Sequence, residues 1–170
     1  MKEIFNDLLT DDANLKGLIG EILAKKHIIG SFKPNRHNLT VVDDMLGKNK
    51  IDQKTANFLK EYWGTIDIIR VKDASLGGST KVEIFEVKAK KFYHNFKASW
   101  LAHKVTPRTI ELYNKCLSYG IDFKFAYVVF FSDWKYRVKI KEFNPKLLST
   151  DDRDRFRKYI PVHLPSLDVY

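Results

Sequence analysis

Two runs of alternating β-branched and polar residues, 65–73 and 82–91, flank a Gly-Gly turn, and this pattern predicts a β-hairpin. Asp67 falls on the first predicted strand, and Glu86 and Lys88 fall on the second. Because side chains alternate between the faces of a strand, Glu86 and Lys88 point the same way. Glu83 points to the other face and is expected to be solvated. If the strands pair as expected, the hairpin brings one acid and a Glu-x-Lys pair into one patch.

A helical pattern precedes the hairpin, with an apolar stripe made of Leu15, Leu18, Ile19, Ile22 and Leu23. The stripe predicts an amphipathic helix capped by Asp12 or Asn14. Its other side carries small residues and an acid, namely Gly17, Gly20, Glu21 and Ala24. Glycine inside a helix costs up to about 1 kcal/mol relative to alanine, so these glycines predict close approach by a group that Glu21 meets. The alternative is that they admit a neighbouring element and Glu21 is solvated.

The remaining pattern alternates helices and strands, as expected of one α/β domain with a mixed central sheet flanked by helices. Helices are expected over 51–63, capped by Asp52, and from Thr106-Pro107 to Gly120. Strands are expected over 39–42, over 123–131 with both faces covered, and over 134–141, where an apolar face alternates with a basic one. The last strand makes a C-terminal hairpin, followed by a short helix over 150–159 and an irregular tail.

Composition narrows the function classes. The chain has 170 residues, long enough for one domain with its own core, and a formal net charge of +9. Such a charge favours a polyanionic partner, either nucleic acid or an anionic membrane face. The sequence has no basic amphipathic helix with an apolar face, so a membrane partner is ranked last. The single cysteine, Cys116, is expected to be a core residue, excludes a disulfide framework or cysteine-based zinc site, and fits the reducing cytoplasm.

The window 87–110 contains no Asp or Glu. Its cations are Lys88, Lys90, Lys91, Lys97, Lys104 and Arg108. Aromatic residues are interleaved with them, and this mixture of cations and stacking rings suits phosphate backbones and splayed bases. The alternative is an ordinary solvated basic face whose rings belong to the core.

The hairpin residues suggest a metal site. Two carboxylates held close together repel each other, and a divalent cation between them relieves that repulsion. Mg²⁺ prefers oxygen ligands and keeps several waters, one of which can become a nucleophile. A preorganised lysine adds stabilisation for the negative charge that develops on a phosphate. The alternative is that Glu86 and Lys88 form a purely structural ion pair.

In chain order, the sequence contains a helix with Glu21, a strand with Asp67, a strand with Glu86-x-Lys88, a helix and an apolar strand. This order resembles the PD-(D/E)XK nuclease superfamily, whose restriction-endonuclease-like core is an αβββαβ arrangement. The resemblance covers about residues 14–131 of a single nuclease domain spanning 1–170, with 132–170 added at the C-terminal end. Ile66 stands where the motif has its proline.

The resemblance implies roles for these residues. Asp67 and Glu86 would be metal ligands, joined by the carbonyl of Val87, and Lys88 would position the attacking water and stabilise the phosphate. Glu21 matches the acid of the first helix, which supports the metal directly or through water. The DNA-binding residues expected beside this site are Lys90, Lys91, Lys97, Lys104 and Arg108.

The function implied is that of an Mg²⁺-dependent DNA endonuclease, with Mn²⁺ able to substitute. A compact single-domain chain most resembles the Holliday-junction resolvases, which act as homodimers on branched DNA. Duplex DNA is the other expected substrate. The alternative function is a non-catalytic nucleic-acid-binding module with the nuclease fold.

Overall fold

The computed structural model describes residues 13–73, 80–91, 100–130, 135–143, 149–150 and 158–163, with the backbone alone at 91, 100–104, 149–150 and 158–163. Its strands are Ser31–Phe32 (β1), Ile68–Lys72 (β2), Lys81–Lys91 (β3), Trp100–Val105 (β4), Asp122–Phe130 (β5), Tyr136–Glu142 (β6), Ser149–Thr150 (β7) and Lys158–His163 (β8). Five of them form the central sheet in the order β1-β2-β3-β5-β6, and β4, β8 and β7 form a second sheet. The central sheet is mixed, because β3 and β5 run parallel while its other neighbours are antiparallel.

Four helices accompany the described strands: Ala13–His27 (α1), Thr40–Gly47 (α2), Gln53–Tyr62 (α3) and Pro107–Tyr119 (α4). The ends of α3 and α4 follow local sequence signals. Asp52 caps α3 by accepting a hydrogen bond from the Thr55 N–H, and Thr106 caps α4 by accepting one from the Thr109 N–H. Gly120 ends α4 at φ 69°, a left-handed conformation that favours glycine. These boundaries confirm the two predicted helices.

Each face of the central sheet has its own apolar core. On one face, α2, α3 and α4 pack over the sheet, with Val42, Phe58, Leu112, Ile84 and Phe125 among the buried side chains. On the other face, α1 packs through Ala24 and Ile28. Because β5 lies between β3 and β6 with both faces covered, its near-continuous apolar sequence is explained, and the predicted α/β fold with a helix-flanked mixed sheet is confirmed.

Helix α1 approaches the sheet through its small residues. A Cβ added at Gly20 would lie 2.8 Å from the Cβ of Ala89, whereas one at Gly17 would meet no atom within 4 Å. Gly20 therefore admits a neighbouring strand, as the alternative expected, whereas nothing lies close to Gly17. The predicted apolar stripe is right only in part, because Leu18 and Ile22 are 47% and 57% exposed.

Several local predictions are wrong. Residues 39–42, expected to be a strand, contain the start of α2, and the first strand of the sheet is instead β1. The helix expected over 150–159 is contradicted at both ends, because Thr150 lies in β7 and Lys158 lies in β8. The residues between them lie outside the described ones. The irregular tail is likewise contradicted where β8 pairs with β4.

The C-terminal hairpin is confirmed, because β6 pairs antiparallel with β5 and forms one edge of the central sheet. Its apolar side faces the same way as α1, since Val138 packs into the core beneath that helix. Tyr136 and Ile140, on the same side, remain partly exposed. No described helix is both long and apolar enough to cross a membrane.

Candidate active site

The carboxyl groups of the hairpin meet at the place where β2 begins. Ile68 pairs with Phe85 in the antiparallel β2–β3 ladder. Asp67 precedes Ile68 and Glu86 follows Phe85, so the two acids stand opposite each other one step beyond that pair. Residues opposite each other in an antiparallel pair share a face, and the prediction that the hairpin unites them is consistent with this register.

A side-chain to backbone hydrogen bond fixes the carboxyl group of Asp67. Its Oδ2 accepts a hydrogen bond of 2.7 Å from the Val87 N–H. The N–H and C=O of one strand residue point to the same edge of the strand, so the Val87 carbonyl also lies on the Asp67 side of β3. Asp67, Glu86 and the Val87 carbonyl therefore supply three oxygen-bearing groups to one region.

Lys88 shares this region and is paired. Its Nζ lies 2.6 Å from Glu86 Oε1, and the two side chains are 23% and 15% exposed. They line a cleft of about 380 Å³ together with Asp67, Gly64, Thr65, Thr106, Arg108, Thr109 and Leu112. The cleft thus holds two carboxylates and a lysine, and it opens at the N-terminal end of α4.

The cleft changes the acidity of Asp67. Burial, followed by the negative charge of Glu86, raises the pKa of Asp67 to about 7, and the hydrogen bond from Val87 opposes that rise. Glu21 adds to the rise and Lys88 lowers it. A cation that binds between Asp67 and Glu86 would stabilise the ionised form of Asp67, because it offsets the repulsion between the two carboxylates.

These donors fit a small hard cation. Within the described part of the chain, no group of three or more His, Cys, Asp and Glu side chains is placed to hold a metal ion. A cation here would therefore have two side-chain ligands, Asp67 and Glu86, with the Val87 carbonyl and water completing its shell. Mg²⁺ accepts such a set, because it binds proteins through one or two carboxylates and keeps several waters.

Glu21 is engaged elsewhere. Its carboxylate forms an ion pair with Lys33, a half-exposed residue that follows β1. It remains close enough to Asp67 for its charge to raise the pKa of that carboxyl group. Glu21 thus has a lysine partner and is not among the residues that line the cleft, and no pattern along the chain had indicated Lys33.

Of the residues expected to contact DNA, Arg108 lines the cleft and Lys90 lies two residues beyond Lys88 on β3. Lys97 lies outside the described residues, as do the side chains of Lys91 and Lys104. Lys90 is half-buried, and burial followed by the charges of Lys16 and Lys88 lowers its pKa.

Helix α4 brings Thr109 to the cleft, a residue to which the sequence analysis gave no role. Thr109 is buried, and its hydroxyl lies 3.5 Å from Glu86 Oε1, at the outer limit of a hydrogen bond. The Thr106-Pro107 signal located the start of this helix correctly. It could not reveal that the same start faces Glu86, because that contact depends on how α4 packs over the sheet.

The expectation for Glu83 is wrong. Its side chain is 1% exposed and forms ion pairs with Arg70, Lys72 and Lys124. Burial alone would raise the pKa of Glu83, but hydrogen bonds from Lys124, Arg70 and Lys72 outweigh it and lower the pKa to about 2. The face opposite Glu86 is therefore covered, and the cations of neighbouring strands neutralise this acid.

Comparison with known proteins does not assign the chain to a family. The sequence matches none of the protein-family models searched, and no curated protein matches it.

Proposed function

We propose that this protein is a metal-dependent DNA endonuclease that hydrolyses phosphodiester bonds. The observation that carries the proposal is the position of Asp67 opposite Glu86 in one cleft, with Lys88 beside them. The two carboxylates repel each other, which raises the pKa of Asp67, and a cation bound between them would relieve this repulsion. The lysine in the same cleft can stabilise the negative charge of a phosphate.

The order of the elements supports the proposal. Helix α1 with Glu21 precedes β2 and β3, which carry the acids and the lysine, and α4 leads into β5 parallel to β3. With β1 as the first strand, the elements are compatible with the αβββαβ order that the resemblance implies, if α2 and α3 between β1 and β2, and β4 of the second sheet, are additions to it. The insertion accounts for the long segment before Asp67.

Each residue of the cleft has a role in this proposal. Asp67, Glu86 and the Val87 carbonyl hold Mg²⁺, or Mn²⁺ in its place. When bound, the ion polarises a phosphate oxygen and lowers the pKa of a water. Lys88, held by Glu86, places its ammonium where a phosphate enters the cleft and stabilises the negative charge that develops there. Thr109 limits the movement of the Glu86 carboxylate.

Arg108 is the proposed phosphate anchor. It is an exposed residue at the start of α4, and the described residues give its guanidinium no ion-pair partner. A guanidinium can bind two oxygens of one phosphate at once, which orients the backbone as well as attracting it. Arg108 lines the same cleft as Glu86 and Lys88, so a phosphate that it holds would lie in that cleft.

The substrate follows from the resemblance to Holliday-junction resolvases. We propose that the protein acts as a homodimer and cuts branched DNA. Linear duplex DNA is the substrate with which branched DNA should be compared. The net charge of +9 supports an extended polyanion in either case, because phosphate contacts supply most of the affinity of such proteins.

A second candidate is a nucleic-acid-binding module without catalysis. It is favoured by the two ion pairs at the site, Lys88 with Glu86 and Lys33 with Glu21, which neutralise these acids without a metal ion. In that case the cleft would bind phosphates through Arg108 and the lysines, and divalent ions would leave the DNA intact.

The test incubates the purified protein with supercoiled plasmid, linear duplex and a four-way junction, with Mg²⁺, with Mn²⁺ and with EDTA. Cutting that requires a divalent ion supports the endonuclease, and preference for the junction supports branched DNA. Binding to these substrates without cutting under any condition would support the module instead.

A further inference from the structure

The cleft that contains Asp67 and Glu86 has two different linings. Gly64 and Thr65 line it from the short 3-10 turn Trp63–Thr65, which leads from α3 into β2. The other lining comes from the cap and the first turns of α4 and carries four side chains, those of Thr106, Arg108, Thr109 and Leu112. The turn therefore presents mostly backbone to the cleft, whereas α4 presents side chains.

The two residues beside Gly64 are tied to other parts of the chain. Trp63 is buried, and its indole N–H donates a hydrogen bond of 2.8 Å to the Asn35 carbonyl. The Thr65 hydroxyl donates a hydrogen bond of 2.9 Å to the Tyr62 carbonyl at the end of α3. These contacts hold the turn on both sides of Gly64, so its position in the cleft does not depend on contacts of its own.

The fold does not require a glycine at position 64. Among the described glycines, only Gly30 and Gly120 have a positive φ, so Gly64 does not serve as a left-handed end of α3. A Cβ added at Gly64 would meet no atom within 4 Å, so no neighbour needs the space. Glycine is also less favourable than alanine in a helical turn. A glycine that neither relieves a clash nor allows a special conformation is explained if a ligand approaches the backbone closely.

The free space at Gly64 belongs to the cleft. Gly64 is exposed, and the cleft that it lines has a volume of about 380 Å³. This volume lies near the lower end of the range for ligand pockets, so the cleft admits a short piece of one nucleic-acid strand and not a whole duplex. A phosphate bound there between Arg108 and Lys88 brings its flanking sugars against the linings, and the turn is the lining that leaves room for them.

We propose that Gly64 is a specificity-determining residue, whose missing side chain leaves room for the sugar–phosphate backbone of the DNA strand to be cut. This inference rests on the proposed function, and it names the part of the substrate that enters the cleft. That part is the backbone of one strand, which lies against the turn Trp63–Thr65 while the partner strand stays outside. A larger residue at position 64 would hold the strand away from Asp67 and Glu86 and leave the two carboxylates in place.

The experiment compares substitutions at two glycines of the full chain. Gly64→Ala and Gly64→Leu place side chains of increasing size in the cleft. Gly47→Ala and Gly47→Leu are the matched controls, because Gly47 is exposed at the end of α2, has an equally open Cβ position and does not line the cleft. Four quantities are measured for each variant: stability to urea, affinity for duplex and four-way-junction DNA in EDTA, initial nicking rate in Mg²⁺, and the rise in melting temperature that Mg²⁺ causes.

Both series should keep at least the stability of the wild type, because neither position has a neighbour with which a Cβ would clash. Gly64→Leu should lower the nicking rate by about 10²-fold, as expected when a substrate is displaced by about 1 Å, and should weaken DNA binding in EDTA. Gly64→Ala should have a smaller effect of the same kind. The effect of Mg²⁺ on the melting temperature should match the wild type in all four variants, since the ion needs far less space than the strand.

Three results would overturn the inference. Binding and cutting by Gly64→Leu at the wild-type level would mean that the strand does not lie against the turn. Loss of the Mg²⁺ effect in Gly64→Leu alone would mean that the substitution disturbs the carboxylates and does not exclude the strand. Equal losses in Gly47→Leu would mean that the place of the added side chain is irrelevant.

The two proposals can fail separately. If the wild type binds DNA without cutting it, the proposed endonuclease fails, and the affinities in EDTA still decide the role of Gly64. If the wild type cuts and Gly64→Leu cuts equally well, the endonuclease stands and the role of Gly64 fails.

Discussion

Asp67 stands opposite Glu86 one step beyond the last pair of the β2–β3 ladder, and its carboxyl group is tied to the next residue of the partner strand by the Val87 N–H. The hydrogen bond holds one acid beside the other although their charges repel. The repulsion between the two carboxylates therefore lowers the stability of the folded protein, and unfolding experiments can measure this loss.

The first prediction concerns how the repulsion between Asp67 and Glu86 affects folding stability when no metal ion is present. Asp67 keeps its proton up to about pH 7 in the folded protein, whereas the unfolded carboxyl loses it at about pH 4. The folded state therefore binds more protons between these values, and this group's contribution to stability falls as the pH rises through that range. Asp67→Asn removes the effect and should stabilise the protein at pH 8 by up to about 4 kcal/mol, with little difference at pH 4.

Urea unfolding of both proteins at the two pH values tests this prediction. Asp44→Asn, at an exposed position on α2, is the control and should change stability equally at both. If Asp67→Asn is less stable than the wild type at pH 8 without metal, the two acids do not repel as described.

The second prediction concerns metal binding. A cation between Asp67 and Glu86 requires Asp67 to lose its proton, so affinity should increase as the pH rises through about 7. Millimolar Mg²⁺ should raise the melting temperature of the wild type more at pH 8 than at pH 5.5, since a ligand stabilises the state that binds it. EDTA should reverse the gain, and Asp67→Asn should abolish it.

Differential scanning calorimetry with Na⁺ at the same ionic strength as the control separates specific binding from screening. An equal rise with Na⁺, or an equal rise in Asp67→Asn, would mean that the carboxylates do not hold the ion.

The third prediction uses two glycines on α1. Gly20→Ala places a methyl group 2.8 Å from the Cβ of Ala89, so the helix must shift, and we expect a loss of about 1–3 kcal/mol. Gly17→Ala meets no neighbour within 4 Å and should stabilise the helix by up to about 1 kcal/mol through its higher propensity. Thermal unfolding compares the two, and equal effects of the same sign would contradict the described packing of α1.

The fourth prediction concerns Glu83. Glu83→Gln leaves Arg70, Lys72 and Lys124 facing an uncharged group in a buried place, and we expect a loss of about 3–5 kcal/mol. Because the folded pKa of Glu83 lies below the unfolded value, its stabilisation is present above about pH 4 and is lost as the pH falls toward 2.

Glu111→Gln, on the half of α4 that faces away from the buried residues, is the control for Glu83→Gln. Denaturant unfolding at neutral pH should separate the two by several kcal/mol. A change of less than about 1 kcal/mol at Glu83 would mean that its ion pairs contribute as little as surface pairs do.

The parts of the fold that local signals determine were predictable from the sequence. The caps Asp52 and Thr106 and the C-terminal Gly120 marked helix ends because each satisfies backbone groups within a few residues. The parts that depend on distant partners were not. The parallel pairing of β3 with β5 and the pairing of β8 with β4 have no signature within either strand.

The errors share this cause. Residues 39–42 have the β-branched composition of a strand, but the contacts of Val42 with the core place them in a helix. Glu83 was expected in solvent because one face of the hairpin was assumed to be open, whereas cations from β2 and β5 cover it. At the candidate site, the shared face of Glu86 and Lys88 could be predicted from the sequence, but Thr109 reaches Glu86 and Lys33 reaches Glu21 only through tertiary packing.

The most direct test of the central claim is the initial rate of plasmid nicking in Mg²⁺ by Lys88→Ala, compared with Lys54→Ala at an exposed position on α3. Lys88 is the member of the proposed site whose role is to stabilise charge on the phosphate, so its loss should lower the rate by about 10²-fold or more while DNA binding persists. Lys54→Ala should cut like the wild type. Nicking by Lys88→Ala at the wild-type rate would contradict the assignment of this cleft as an active site.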